Sequence, residues 1–122
     1  MCRQEILHDI KMQLTFLSGN MDRITSEIKE LQEILNGFPM KLGCWTYVIK
    51  IKDHIFRIGF DKLDRKWGII IREYHESLIT PVYENFLLNA PINLRILGVK
   101  YLDMLLDKYS SMVNGIVKLL SP

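Results

Sequence analysis

Three histidines, two cysteines and a handful of carboxylates are the side chains here that could do chemistry. His8, His54 and His75 stand far apart, with no HExxH and no His or Cys partner at ligand spacing, so the sequence offers no zinc site. Cys2 and Cys44 form no CxxC pair, and reduced thiols in a cytoplasmic protein are the natural reading. Cys44 precedes Trp45 without a neighbouring base to draw off its proton, which makes it a small buried hydrophobe by default. Acid–base catalysis would need carboxylates in a partly desolvated pocket. Asp61, Asp64, Glu73 and Glu76 are the candidates near the expected sheet, and all four fall in or beside turns, where solvated roles prevail. Gly43, Gly59 and Gly68 are isolated glycines, not a phosphate-binding loop, and mark bulges or close backbone approaches. These absences point to a protein that is not an enzyme and uses no cofactor, metal or small-molecule substrate.

One cluster remains. Lys50, Lys52, Arg57, Arg65, Lys66 and Arg72 are interleaved with Trp45, Tyr47, Phe56 and Trp67, the composition of a surface that meets phosphates with cations and bases with rings. The net charge of the 122 residues is only +2, but residues 41–72 carry eight cations against three carboxylates, a balance of +5 that leaves −3 for the rest. Strand alternation works against a nucleic-acid site. Trp45 and Tyr47 should point away from Lys50 and Lys52, toward the helices as core, leaving a solvated basic face. Nucleic-acid binding through Lys50, Lys52, Arg57, Arg65 and Lys66 is therefore the alternative expectation.

The elements that would position these groups follow from periodicity. Leu7, Ile10, Leu14, Leu17, Met21, Ile24, Ile28, Leu31 and Leu35 alternate in spacings of three and four, the heptad stripe of one helix over residues 1–37. Ser18-Gly19-Asn20 could break it, but the phase runs through. Gly37, expected in a left-handed cap, and Pro39 end it. From Cys44 the period becomes two, giving strands at 44–52, 55–60 and 67–74, joined by a turn at Asp53-His54 and a polar loop at 61–66. The unit expected is a three-stranded antiparallel meander with helices on one face. Thr80-Pro81 and Asn89-Ala90-Pro91 read as helix starts. Val99, Leu102, Leu106, Tyr109, Val113, Ile116 and Leu120, flanked by Leu105, Met112 and Leu119, form a wide stripe on a long last helix, so residues 80–120 read as helical.

The stretch FDKLDRKWGIIIRE, followed by LLNAPINLRILGVKYLDMLL, resembles small bacterial proteins in which an aromatic-rich meander leads to an L..AP..LR helix. Leu88, Ala90, Pro91, Leu94, Arg95, Leu102 and Leu106 carry the resemblance. It implies a helix, meander, helix order and brings no activity or ligand. Gly98 sits where a small residue lets helices pack closely, and Arg95 is expected to be partly buried against a carboxylate.

The whole is read as one α+β domain, residues 1–122, without an export signal or an apolar run of membrane-spanning length. Its function is expected to be that of a small cytoplasmic interaction protein, a regulator, adaptor or inhibitor acting on a protein partner and itself a homodimer. The stripe residues Leu14, Leu17, Met21, Ile24, Ile28 and Leu31 are the expected interface. Positions flanking the stripe give no opposite-charge pairs in a parallel dimer, so a parallel zipper is not indicated. Two arrangements stay open: antiparallel packing of the two long helices within one chain, or helices pooled between two chains. Met12 and Phe16, off the stripe, favour association.

Overall fold

A computed structural model describes residues 2–75 and 79–121, so the candidate carboxylate Glu76 lies outside the described residues. The chain is α+β. Helix α1 (Arg3–Asn36) passes unbroken through Ser18-Gly19-Asn20, where the Asn20 side chain donates to the Phe16 carbonyl instead of opening a turn. At about 1.5 Å per residue it is about 51 Å long. It ends at Gly37 with φ −82°, so the left-handed cap expected there does not form.

Strands β1 (Cys44–Trp45), β2 (Ile49–Ile51), β3 (His54–Leu63), β4 (Lys66–Tyr74) and β5 (Tyr83–Phe86) make one antiparallel sheet in the order β1-β3-β4-β5, with β2 also paired to β3. The first expected strand is thus interrupted. Between its two pieces the buried Thr46 accepts from the Ile58 N–H through Oγ1 and donates its own N–H to the Ile58 carbonyl. The β3–β4 hairpin is longer than expected because its turn needs only Asp64 and Arg65, both with positive φ, as a two-residue turn twisted like its strands requires.

Thr80-Pro81 does not start a helix. Val82 donates to the Glu73 carbonyl and β5 continues along β4, whose edge would otherwise be unpaired; Val82, Tyr83 and Phe86 suit a strand. A 3-10 turn (Leu87–Asn89) leads to α2 (Ile92–Val99), which begins after Pro91 as expected, and α3 (Leu102–Lys118). The last stripe is therefore split at Lys100-Tyr101, where the Tyr101 ring packs edge-on against Phe56 at 5.5 Å. Gly98 is the close approach expected of it: a Cβ there would lie 2.5 Å from Leu87 Cδ1. Arg95 is half-buried, but its partners are the Ala90 carbonyl (3.0 Å) and the Thr25 hydroxyl (3.2 Å), not a carboxylate.

One face of the sheet carries Phe56, Ile58, Phe60, Ile69 and Ile71, all fully buried beneath the helices. Helix α1 packs on β4 and α2, while α3 packs on β1 and β3. Where β5 runs out, polar residues of α1 complete the edge of β4: Gln32 accepts from the Ile69 N–H (2.9 Å) and Asn36 donates to the Trp67 carbonyl (3.3 Å). Backbone groups that would otherwise be buried without partners are thereby paired.

Burial along the α1 stripe is lopsided. Ile28 is inaccessible, whereas Ile10 is nearly half exposed. At protein concentrations dilute enough for the chain to be dissociated, Ile28→Ala is expected to lower unfolding free energy by about 2–5 kcal/mol, and Ile10→Ala to change it by no more than about 0.5 kcal/mol. Urea titrations of the two variants check this; equal losses would mean that the amino-terminal turns are packed as firmly as the rest.

Candidate interaction surface

The expected interface residues divide at Leu17. Leu14 and, before it, Leu7 and Ile10 stand in solvent at 47–58% exposure; Leu17 and Leu31 are half-buried; Met21, Ile24 and Ile28 are core residues of the chain itself. The last three are occupied, because α1 lays this part of its stripe on the sheet and α2. Residues 3–17 project as an arm about 22 Å long. Ile6 beside the stripe, and Met12 and Phe16 off it, are exposed too. The arm has no side-chain cap at Cys2. A helix of such length is marginal in water by itself, so the arm is nucleated by the packed half behind it and gains from any surface that covers it.

The long helices do not pack antiparallel. Glu27–Ile34 of α1 lie opposite Val99–Leu106, and Leu31–Phe38 opposite Leu106–Val113, so α1 and α3 run in the same sense on the sheet. They stand apart. Between them is an open trough of about 650 Å³ lined by Leu31, Ile34, Leu35, Phe38, Leu106 and Val113, with the Phe38 and Tyr109 rings 6.4 Å apart at one end. Its one charged lining residue is Asp107; Glu27, Glu30 and Asp103 line an adjoining depression that shares Leu31, Ile34 and Leu106 with it.

The opposite sheet face differs from the sequence reading. Trp45 is not turned toward the helices. It lies on the outer face across Gly59, where any Cβ would collide with the indole ring. The indole donates to Asp61 at 2.9 Å, and the Arg72 guanidinium sits 3.9 Å from the ring centroid. Arg72 is ion-paired with Glu84, and Arg57 donates to the Thr46 carbonyl at 2.8 Å while flanking the same indole. Burial works against the Arg72 charge, but Glu84 and Tyr74 outweigh it and hold the guanidinium protonated. The ring a base would stack on already carries a cation. Of the other expected nucleic-acid contacts, Lys50 and Lys66 are exposed, whereas Lys52 and Arg65 sit in the turns at opposite ends of β3, about 30 Å apart. The structure does not bring the five together as one patch. Trp67, by contrast, faces the helices, stacked on Phe60 at 5.2 Å.

The remaining chemical candidates have structural surroundings. His54 faces Glu73 at 3.4 Å, Asp61 holds Trp45 and accepts from the Lys62 N–H, and Asp64 forms a turn. His8 and His75 are exposed. Among the described residues no group of three His, Cys, Asp or Glu is placed to hold a metal, and no helix is long and apolar enough to cross a membrane. Sequence reasoning missed the trough because a stripe shows which face of a helix is apolar, not how far apart two helices sit. It missed Gln32 and Asn36 as strand caps because side chains that complete a sheet edge carry no periodic signal.

Family models, curated proteins and solved structures were compared with the chain, and none matches. The resemblance to small bacterial proteins thus rests on the quoted residues alone.

Two outcomes follow. Burial raises the Cys44 thiol above its ordinary value, with Lys108 opposing more weakly. Cys44 should therefore label slowly at neutral pH while the exposed Cys2 labels at once, as a two-phase thiol titration would report. A thiol that binds its proton more tightly when folded contributes stability that is fully present below the unfolded thiol's value and is lost as pH climbs through the folded one. Cys44→Ala should accordingly flatten the alkaline decline in Tm. Second, with Arg57 and Arg72 engaged, the protein should leave heparin at modest ionic strength; steeply salt-dependent retention would restore the phosphate-binding reading.

Proposed function

We propose that this is a non-enzymatic interaction protein that works by burying the α1 arm against protein surface, with a second copy of the chain as its first partner. The observation that carries the reading is the apolar stripe of α1. It continues in phase for three further heptad positions, Leu7, Ile10 and Leu14, beyond the point where the chain's own core stops covering it. Leaving a Leu or Ile half in water forgoes about 1 kcal/mol per side chain, so a contiguous row of them is a stored driving force for association. The sheet and its polar outer face serve as the rigid base from which the arm is held. Regulation, adaptation or inhibition by occupying a partner's surface is the class of action open to such a molecule.

The arm can be tested without disturbing the core, which Ile24→Glu would not allow. Leu7→Glu combined with Leu14→Glu is expected to leave the unfolding free energy of the single chain within about 0.5 kcal/mol of the parent's at concentrations where the parent is dissociated, since both sites are exposed in it, while converting an associated wild type into a monomer by light scattering. A wild type that is monomeric at 100 µM would overturn self-association.

A further inference from the structure

Building on that reading, we infer that the trough between α1 and α3 is the seat for the arm of a second copy, the two α1 helices running antiparallel about a two-fold axis near Asp22. In such a pair each arm enters the other chain's trough, Ile6 and Ile10 of one copy meeting Phe38 and Ile34 of the other.

Three observations carry this. The first is length: the arm of about 22 Å is long enough to cover α1 along the trough from Glu27 to its end at Asn36, about 14 Å, and to reach the turn that carries Phe38. The second is placement. Because one helix bears the arm at its start and the trough near its end, a single antiparallel pairing fills both troughs at once, the self-complementary geometry a two-fold interface demands. A parallel pairing would set arm on arm and leave both troughs open.

The third is area. Ile6, Leu7, Ile10, Leu14, Ile34 and Phe38 are 39–58% exposed. At roughly 100 Å² each they offer on the order of 600 Å² per chain. Two copies then reach the lower bound of about 1,200 Å² for a stable complex before the half-buried trough floor is counted.

The experiment is disulfide trapping in full-length protein with Cys2→Ser, so that the buried Cys44 is the remaining native thiol. Residues 10 and 34 lie about 36 Å apart on one helix, far beyond the roughly 7 Å a disulfide spans, so they can be joined only between chains. Under mild oxidation Ile10→Cys combined with Ile34→Cys should give a covalent dimer in high yield, and neither single variant should. Cross-linking by Ile10→Cys or Leu14→Cys alone would place arm on arm and overturn the seat while leaving self-association standing. A wild-type dimer with no cross-link in the double variant, its circular dichroism unchanged, would also overturn the seat. A monomeric wild type at 100 µM would remove both the seat and the reading beneath it.

Discussion

The molecule is governed by a mismatch of length. One helix of 34 residues carries an apolar stripe from Leu7 to Leu35, and the sheet and α2 beneath it cover only the part from Met21 onward. The covered half is held by burial of Met21, Ile24, Ile28 and Leu35, each worth about 1.5–3 kcal/mol, and that half makes the uncovered half helical at all, since propagating a helix is far cheaper than starting one. A compact monomer has no use for fifteen further residues of stripe. Their cost in exposed surface is offset only when something lies against them.

Burial alone would leave α1 free to roll about its axis, because a row of Ile and Leu fits a flat apolar sheet in several orientations. Two polar side chains remove that freedom. Gln32 and Asn36 reach β4 where β5 ends and take up the Ile69 N–H and the Trp67 carbonyl, while Thr25 receives a hydrogen bond from Arg95 on α2. A roll of the helix would leave those buried backbone groups unpaired, at about 1–3 kcal/mol each. The azimuth of α1 is therefore fixed at its packed end, and because the helix is continuous through Gly19 the direction in which the arm presents Leu7, Ile10 and Leu14 is fixed with it.

Much of this architecture is legible in the residues themselves. The unbroken heptad phase across Ser18-Gly19-Asn20 outweighed the local cost of a mid-helix glycine, about 1 kcal/mol against a whole row of buried side chains. The β3–β4 hairpin follows from alternation of Phe56, Ile58 and Phe60 against Arg57. What the sequence hides depends on distant partners. Thr80-Pro81 has the local chemistry of a helix start, but an open β4 edge recruits Tyr83–Phe86 as a strand. Trp45 looks like core by type, yet β1 presents it to the outer face because Cys44 and Thr46 take the buried positions, and Gly59 supplies the flat floor it needs. The stripe divides: Leu14 is open to solvent, while Met21, Ile24 and Ile28, identical in pattern, are consumed by the chain's own sheet. Periodicity registers that a face is apolar and is blind to who covers it.

The uneven charge has a corresponding geometry. The excess of +5 within residues 41–72 belongs to the sheet and its turns, and the carboxylates of the helical remainder include the four along the trough and its adjoining depression. At physiological ionic strength such fields are screened beyond about 8 Å, so they act between surfaces nearly in contact and decide which faces of two copies can approach. Sheet against sheet would bring Lys50 and Lys66 of both copies together, and trough against trough would oppose the carboxylates of both. Lateral contact along α1 avoids both. In the proposed dimer it would keep each basic sheet face outward. In that arrangement exposed apolar surface would supply the drive to associate, and charge would disfavour the face-to-face alternatives.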